Sequence, residues 1–334
     1  MSRKKIDIHE LNSANMKYYY GIPHSHTAFS TGQGTPIDAY EHARHNGLDF
    51  LIITDHNNYL IKKVKIKGTP FTKWDASQYI STKYRKKHEN FLSLVGFESK
   101  TSSFGDMNII NSNTFFTGNI NNIQLLFLWM LNNPNAFVTI NHPHKEIQHL
   151  EYNPILNKLI TSIEVGNGSY PNHYIRYEKY YYYMLDSKWK LGAVNGADNH
   201  RINFGDSENL TCFISDSLTP YSLVNAFRLR RTFSTESHTL KMHFFINKTF
   251  MGSIISEKET PLTFKIFASD TNYKISEINI ITNNGHIIAR ISDLNLNKIK
   301  YLYKHIPSNN ETWYIIKIIL ENDKTAISSP IFRE

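Results

Sequence analysis

Histidines and carboxylates fall in this chain where apolar, strand-like stretches end. His24 and His26 close the stretch 18–26 at a spacing of i, i+2, so both side chains leave the same face of an extended segment. Asp55 and His56 close 49–56, Glu98 closes 91–99, and His142 with His144 follow 137–142. Glu164 lies at the end of 162–165, and Asp198 and His200, again i, i+2, end the stretch 192–198. Imidazole and carboxylate are the usual ligands of divalent transition metals. Carboxylates converging on one point repel each other unless a cation lies among them. A single histidine at a strand end is ordinarily a hydrogen-bonded or surface residue, and a chain with 16 histidines places some there by chance. The joint pattern, with two i, i+2 pairs and further ligands at successive strand ends, points to a metal site.

Such residues meet only if the strands run parallel and bring their C-terminal ends to one rim. The stretches are rich in Val, Ile, Phe and Tyr, and runs such as FLIIT suit strands buried on both faces. A further strand is expected over 107–111, and helices over 36–46, 76–89, 120–132 and 173–190, the first opening on Thr35-Pro36. About seven strand–helix units imply an α/β barrel of (β/α)7 type. From about residue 240 the helical pattern stops. Short β-rich segments follow, divided by turn signals such as Asn283-Asn284-Gly285, and read as a small antiparallel β-sandwich. The expected division is 1–238 for the catalytic domain and 239–334 for the sandwich, with a tight join.

At 334 residues and 40% hydrophobic, the chain has enough apolar material for two cores. No apolar run approaches the roughly 20 residues needed to span a bilayer. The first 20 residues lack the apolar core of a signal peptide. A lone cysteine, Cys212, excludes an internal disulfide framework, and a cytoplasmic setting is expected. The net charge of +8 suits an anionic partner. The basic residues are scattered and no recognition motif accompanies them, so nucleic acid and membrane are not expected partners. The tyrosines at 180–183 point all round a helix and read as packing residues.

PHSHTAFSTGQG, LDFLIITDHN, VGFES, INHPH and VNGADNH, in that order and spacing over 18–237, resemble the successive motifs of the polymerase-and-histidinol-phosphatase (PHP) superfamily. AFRLRRTFSTES resembles its late helix and strand, and IEVGNG with the β-rich tail is most similar to the carbaryl-esterase-like (CehA/McbA-like) branch. The resemblance implies a distorted (β/α)7 PHP barrel and two divalent metal ions, with a third in trinuclear relatives; manganese, zinc or iron would serve. It implies His24, His26 and Asp198 on the first metal, Glu98 bridging, and His142 on the second. His56 and His200 are the residues that hold a third metal or act as general acid. Two positions depart from the pattern: Gly32 stands where a third-metal ligand is common, and Asp106 where a histidine follows a glycine. Asp106 is then an oxygen ligand of the second site, which favours manganese or iron over zinc.

The implied reaction is attack by a metal-bridging hydroxide, foremost on a small phosphorylated or nucleotide-like molecule. Arg201, Arg228, Arg230 and Arg231 are candidate anion contacts, and Asp55 is a candidate to orient His56 or bind metal. Glu164 and Asn167 are candidate pocket residues, and His144 a support for a ligand. The same site also suits a carboxyl ester, carbamate or amide. A non-catalytic metal-binding accessory protein is the reading of another class, favoured by Gly32 and Asp106.

Overall fold

The computed structural model describes residues 16–101, 104–169, 172–255 and 260–334. The main sheet holds β1 (Lys17–Ile22), β2 (Phe50–Ile53), β3 (Leu92–Ser99), β4 (Met107–Ile110), β5 (Phe137–Ile140), β6 (Ile160–Asn167), β7 (Gly192–Gly196), β8 (Leu210–Ser215) and β9 (Thr232–Thr235). Its order is β7-β6-β5-β4-β3-β2-β1-β8-β9. β1, β2 and β3 are mutually parallel, as are β5, β6 and β7. β4 departs from expectation: it runs antiparallel to both β3 and β5. Among the described residues no helix lies between it and β3, and only seven residues, 100–106, join the two strands. This reversal puts the start of β4, not its end, at the rim where its neighbours finish.

Helices α1 (Pro36–His45), α2 (Lys73–Lys87), α3 (Ile123–Leu131), α4 (Glu178–Asp186) and α5 (Pro220–Arg228) lie between the strands. Local chemistry sets their starts. Thr35 and Asp38 form a reciprocal capping box ahead of Pro36, Thr72 caps α2, and Thr219 caps α5 with Pro220 behind it. In α1 the buried Pro36, Ala39, Tyr40 and Ala43 form one face against the sheet. Residues expected to form a loop instead make a hairpin, Lys63–Ile66 with Thr69–Thr72. Its two-residue turn, Lys67 (φ 49°) and Gly68 (φ 85°), has the positive dihedrals such hairpins need. Among the described residues, no helix is long and apolar enough to cross a membrane.

The tail contains two antiparallel sheets. One is β10 (Lys241–Ile246), β11 (Leu262–Ser269) and β14 (Lys298–His305), with Thr249–Phe250 at its edge. The other holds β12 (Ile275–Thr282), β13 (His286–Ile291), β15 (Trp313–Leu320) and β16 (Thr325–Ser328). β16 also pairs with β9, Phe233 opposite Ser328, so the second sheet continues the main one. Tyr20 and Ile22 of β1 share one apolar core with Met242, Phe264, Ile278 and Ile316 of the tail. Polar ties reinforce this join: Asp186 accepts from Trp313 Nε1 (2.9 Å) and Asn283, and Lys317 meets Glu178 (2.7 Å). The tail is therefore built into the same body as the first sheet.

Candidate metal centre

His24, His26, His56, His142 and Asp198 sit in the few residues beyond the strand ends, where the chain leaves the ladder but is still held by it; Glu98 lies among the last paired residues of β3, and Asp106 immediately before β4. Asp198 N donates to His24 O (3.0 Å) and His26 N to Asn199 O (2.9 Å), which ties the first and last ligand segments together. His142 (φ 25°) and Asp198 (φ 49°) both have left-handed backbones, which is costly for a residue with a side chain and is typical of residues over-determined by a functional site.

The structure brings together His24, His26, Glu98, His142 and Asp198. His24 Nε2 lies 3.2 Å from Glu98 Oε1, 3.3 Å from Asp198 Oδ1 and 3.2 Å from His26 Nε2. His26 Nε2 is 3.3 Å from Glu98 Oε2 and 3.1 Å from Asp198 Oδ1. These separations match the edges, about 3.3 Å, of a tetrahedron around an ion that binds nitrogen and oxygen at about 2.0–2.1 Å. Glu98 lies in the middle: Oε1 is also 3.3 Å from His142 Nε2, and Oε2 is 3.1 Å from His56 Nδ1. One carboxylate thus faces four imidazoles, the position a bridging ligand requires.

Among the described residues, four overlapping groups could hold an ion, each with ligand atoms within 4.8 Å of one another: His24–His26–Glu98, His24–His142–Asp198, Glu98–Asp106–His142 and His26–His56–His200. Asp106 joins Glu98 and His142 because antiparallel β4 begins at the rim. His26 is flanked by His56 and His200, with ring centroids 4.5 Å away on each side. Gly32 has no room for a ligand: a Cβ there would run into His26 O, and its amide is bonded to Thr27 O (2.9 Å).

Some candidates take other roles. Asp55 points away from His56, since neighbours on an extended chain face opposite sides. Its carboxylate accepts Thr27 N (2.8 Å), Thr27 Oγ1 (2.6 Å) and the Ser30 hydroxyl, and so fastens the loop after His26. His144 is exposed and caps the turn Lys145–His149 through Glu146 N. Arg201 is exposed next to His200. Arg228 and Arg231 are not brought to the rim. Arg228 donates to Pro134 O and Ala136 O (3.0 Å), just before β5 begins, and Arg231 lies over Phe250 of the tail. Arg230 donates to Gly252 O (2.8 Å). All three are at the strands' opposite end.

Glu164 does more than line a pocket. It accepts from His24 Nδ1 (2.8 Å), His142 N (2.6 Å) and Asn167 Nδ2 (2.8 Å), so it turns the Nε2 atoms of both segments inward. Gly196 makes room for it, because a Cβ there would strike Glu164 Oε1. Asn141 Nδ2 donates to Glu98 Oε1 (2.8 Å), a contact no sequence signal announces.

Burial pulls the imidazoles of His24, His26 and His142 down, but the surrounding carboxylates outweigh it. His24 is held well above its ordinary range, and His26 and His142 are pushed up to about 9. Burial alone would raise Glu98 and Asp198; the imidazoles reverse this and hold both below the usual carboxylate range. Burial and the neighbouring His26 lower His56 to about 4. Burial, then Glu98, raises Asp106. Protons on His26 and His142 therefore stabilise the metal-free fold fully below about pH 6.5. That stabilisation is lost as pH rises through about 9. Metal competes for the same nitrogens. The expected result is a metal-free Tm that falls from pH 6.5 to 9 and a Tm gain with manganese or zinc that grows across that range. Scanning fluorimetry at several pH values checks it; a gain that shrinks with pH would rule out binding through these imidazoles.

The centre is open on one side. Side chains of His56, His142, Asp198 and His200 are 20%, 28%, 19% and 34% exposed, against 2% for Glu98.

No protein-family model matches the chain, and no curated protein matches its sequence. Its fold is similar to the crystal structure of a two-domain protein from Bacteroides vulgatus that contains a predicted PHP-like metal-dependent phosphoesterase. The TM-score is 0.51 at 16% identity, over 92% of each chain. PsfC from Pseudomonas syringae matches less well, with a TM-score of 0.40 and 13% identity over 59% of this chain and 82% of that one. The first likeness defines a class of architecture: a mixed α/β fold with a large, mostly parallel sheet followed by antiparallel sheets.

Proposed function

We propose that the chain is a metal-dependent hydrolase of the PHP type, acting on a small phosphorylated or nucleotide-like molecule. The observation that carries this reading is Glu98, a single buried carboxylate shared by four imidazoles within 3.1–3.3 Å, with Asp198 completing the set. Two divalent ions, when bound, supply positive charge and an acidified water for attack on phosphorus. His24, His26 and Asp198 would hold one, Asp106 and His142 the other, and Glu98 both. His200 donates Nδ1–H to Asp198 O (2.9 Å), which leaves Nε2 to exchange a proton with the leaving oxygen. Arg201 meets the anionic end of the substrate. Residues 1–238 form the catalytic unit in a distorted (β/α)7 PHP barrel, and 239–334 the β-sandwich; IEVGNG, whose Glu164 aligns two ligand segments, supports the CehA/McbA-like branch. The buried Cys212 suits the cytoplasm.

A second reading, hydrolysis of a carboxyl ester, carbamate or amide, is favoured by one observation: Arg228 and Arg231 face away from the rim, so few cations meet a substrate there. p-Nitrophenyl phosphate, bis-p-nitrophenyl phosphate and p-nitrophenyl acetate with manganese, zinc or iron separate the two. Phosphoester turnover is expected, with KM raised about tenfold in Arg201→Ala, the loss of one exposed charge contact. Arg228→Ala should leave KM unchanged. Turnover of the acetate alone would establish the second reading, and no turnover with any metal would discard both.

A further inference from the structure

The lysines of this face come from three separate segments of the chain, Lys241, Lys265 and the alternating Lys298, Lys300 and Lys304. Antiparallel pairing gathers them. On the outward face of the β10-β11-β14 sheet, successive cross-strand rows read Lys241–Ser269–Lys298, His243–Phe267–Lys300, Phe245–Lys265–Leu302 and, on two strands, Thr263–Lys304. The alternate residues Met242, Phe244, Phe264, Ile266 and Ala268 are buried in the core, so this face is set by period-two patterning. Five lysines stand exposed on it. No acidic residue occupies the rows, and among the described residues no carboxylate pairs with any of the five.

Between the lysines lie half-buried rings. His243 and Phe267 stack with centroids 5.0 Å apart, Phe245 stands edge-on to His243, and Lys298 lies over Phe267. Burial pushes His243 down to about 4, so at neutral pH it serves as an uncharged ring. Tyr18, whose hydroxyl bonds to His243 Nδ1 (2.6 Å), and Met16 wall one side and make a groove of about 660 Å³. Tyr18 is at the start of β1 and the metal ligands lie past its end, so this groove is on the opposite side of the molecule.

We propose that this face docks single-stranded nucleic acid. Exposed cations interleaved with rings on a sheet are what an unpaired strand requires: lysines for the phosphates and aromatic surface for bases. Lys298 and Lys300, two residues apart on one strand, stand about 6.6 Å from each other, and Lys265 lies diagonally across from Lys300 at about 7–8 Å, spacings that follow a flexible polyanion. The recess behind Tyr18 and Met16 admits a thin chain; a flat bilayer reaches only its edges, and a duplex keeps its bases away from the rings. The inference is independent of the hydrolytic reading.

Fluorescence polarisation of the full-length, metal-loaded protein with a labelled 20-mer of deoxythymidylate tests it, with the oligonucleotide checked intact on a gel. Micromolar binding at 50 mM salt is expected, falling with a log–log salt slope of about −2 to −3.5, near −0.7 for each of three to five lysines. Lys265→Glu with Lys300→Glu should weaken it at least tenfold, and Phe245→Ala about fivefold or more. Lys83→Glu with Lys87→Glu, an equal charge change on α2, should cost less than twofold. Lys300→Gln with Lys304→Gln, both fully outward, replaces the first pair if that variant melts early. No binding by the wild type, equal losses from both charge reversals, equal affinity for a duplex 20-mer, or capture by phosphatidylserine vesicles without oligonucleotide binding would each overturn the assignment.

Discussion

Glu98→Ala is expected to remove metal binding at both positions and to lower hydrolysis by more than about 100-fold, the upper range for residues that merely support a ligand. The carboxylate contacts His24, His26, His56, His142 and Asn141 at 2.8–3.3 Å, so no neighbour can take its place. Its loss deprives each facing imidazole of the anion that favours its protonated or metal-bound form. Metal content by mass spectrometry, and turnover of bis-p-nitrophenyl phosphate, measure the two effects. Full metal content with unchanged turnover would show that Glu98 is a structural residue and would sink the two-metal reading.

Glu164→Gln carries the second largest expected effect, a 10- to 100-fold loss of metal affinity with the fold retained. Glutamine keeps the size of the side chain and can still accept from His142 N. It removes the charge that faces His24 Nδ1, and its amide nitrogen cannot accept that proton. His24 Nε2 is then a weaker and less well-aimed donor to metal. Titration of the metal-free variant with manganese or zinc reads the loss. Gly196→Ala should reproduce part of it by displacing the same carboxylate. Wild-type affinity in both variants would show that ring orientation here does not depend on Glu164.

Much of the centre is legible in the sequence. The i, i+2 pair His24/His26 and the positions of Glu98, His142 and Asp198 at or just past strand ends follow from local patterning, and parallel strands convert that into a shared rim; the left-handed backbones that aim His142 and Asp198 do not follow from it. The hydrophobic runs of β1, β2, β3, β5, β6 and β7, and the cap at Thr35, are local in the same way. Where a property depends on which segment pairs with which, the chain is silent. The reversed direction of β4 comes from pairing with β3 and β5, and it is what carries Asp106 to Glu98. The work of Asp55 follows from the loop that folds over it, and that of Glu164 from the space left by a glycine on the next strand. Arg228 and Arg231 look like anion contacts in a one-dimensional reading, yet helix α5 delivers them to the opposite end of the sheet.

The sequence by itself determined the ligand types, their alternation and the strands that carry them, because side-chain direction along an extended chain is fixed by a period of two. Only the tertiary structure decided how the tail joins the first sheet through β9 and β16, and which charges gather on a common face. Lys241, Lys265 and the β14 lysines Lys298, Lys300 and Lys304 are separated by up to 63 positions along the chain, and hydrogen bonding between distant strands brings the three segments together.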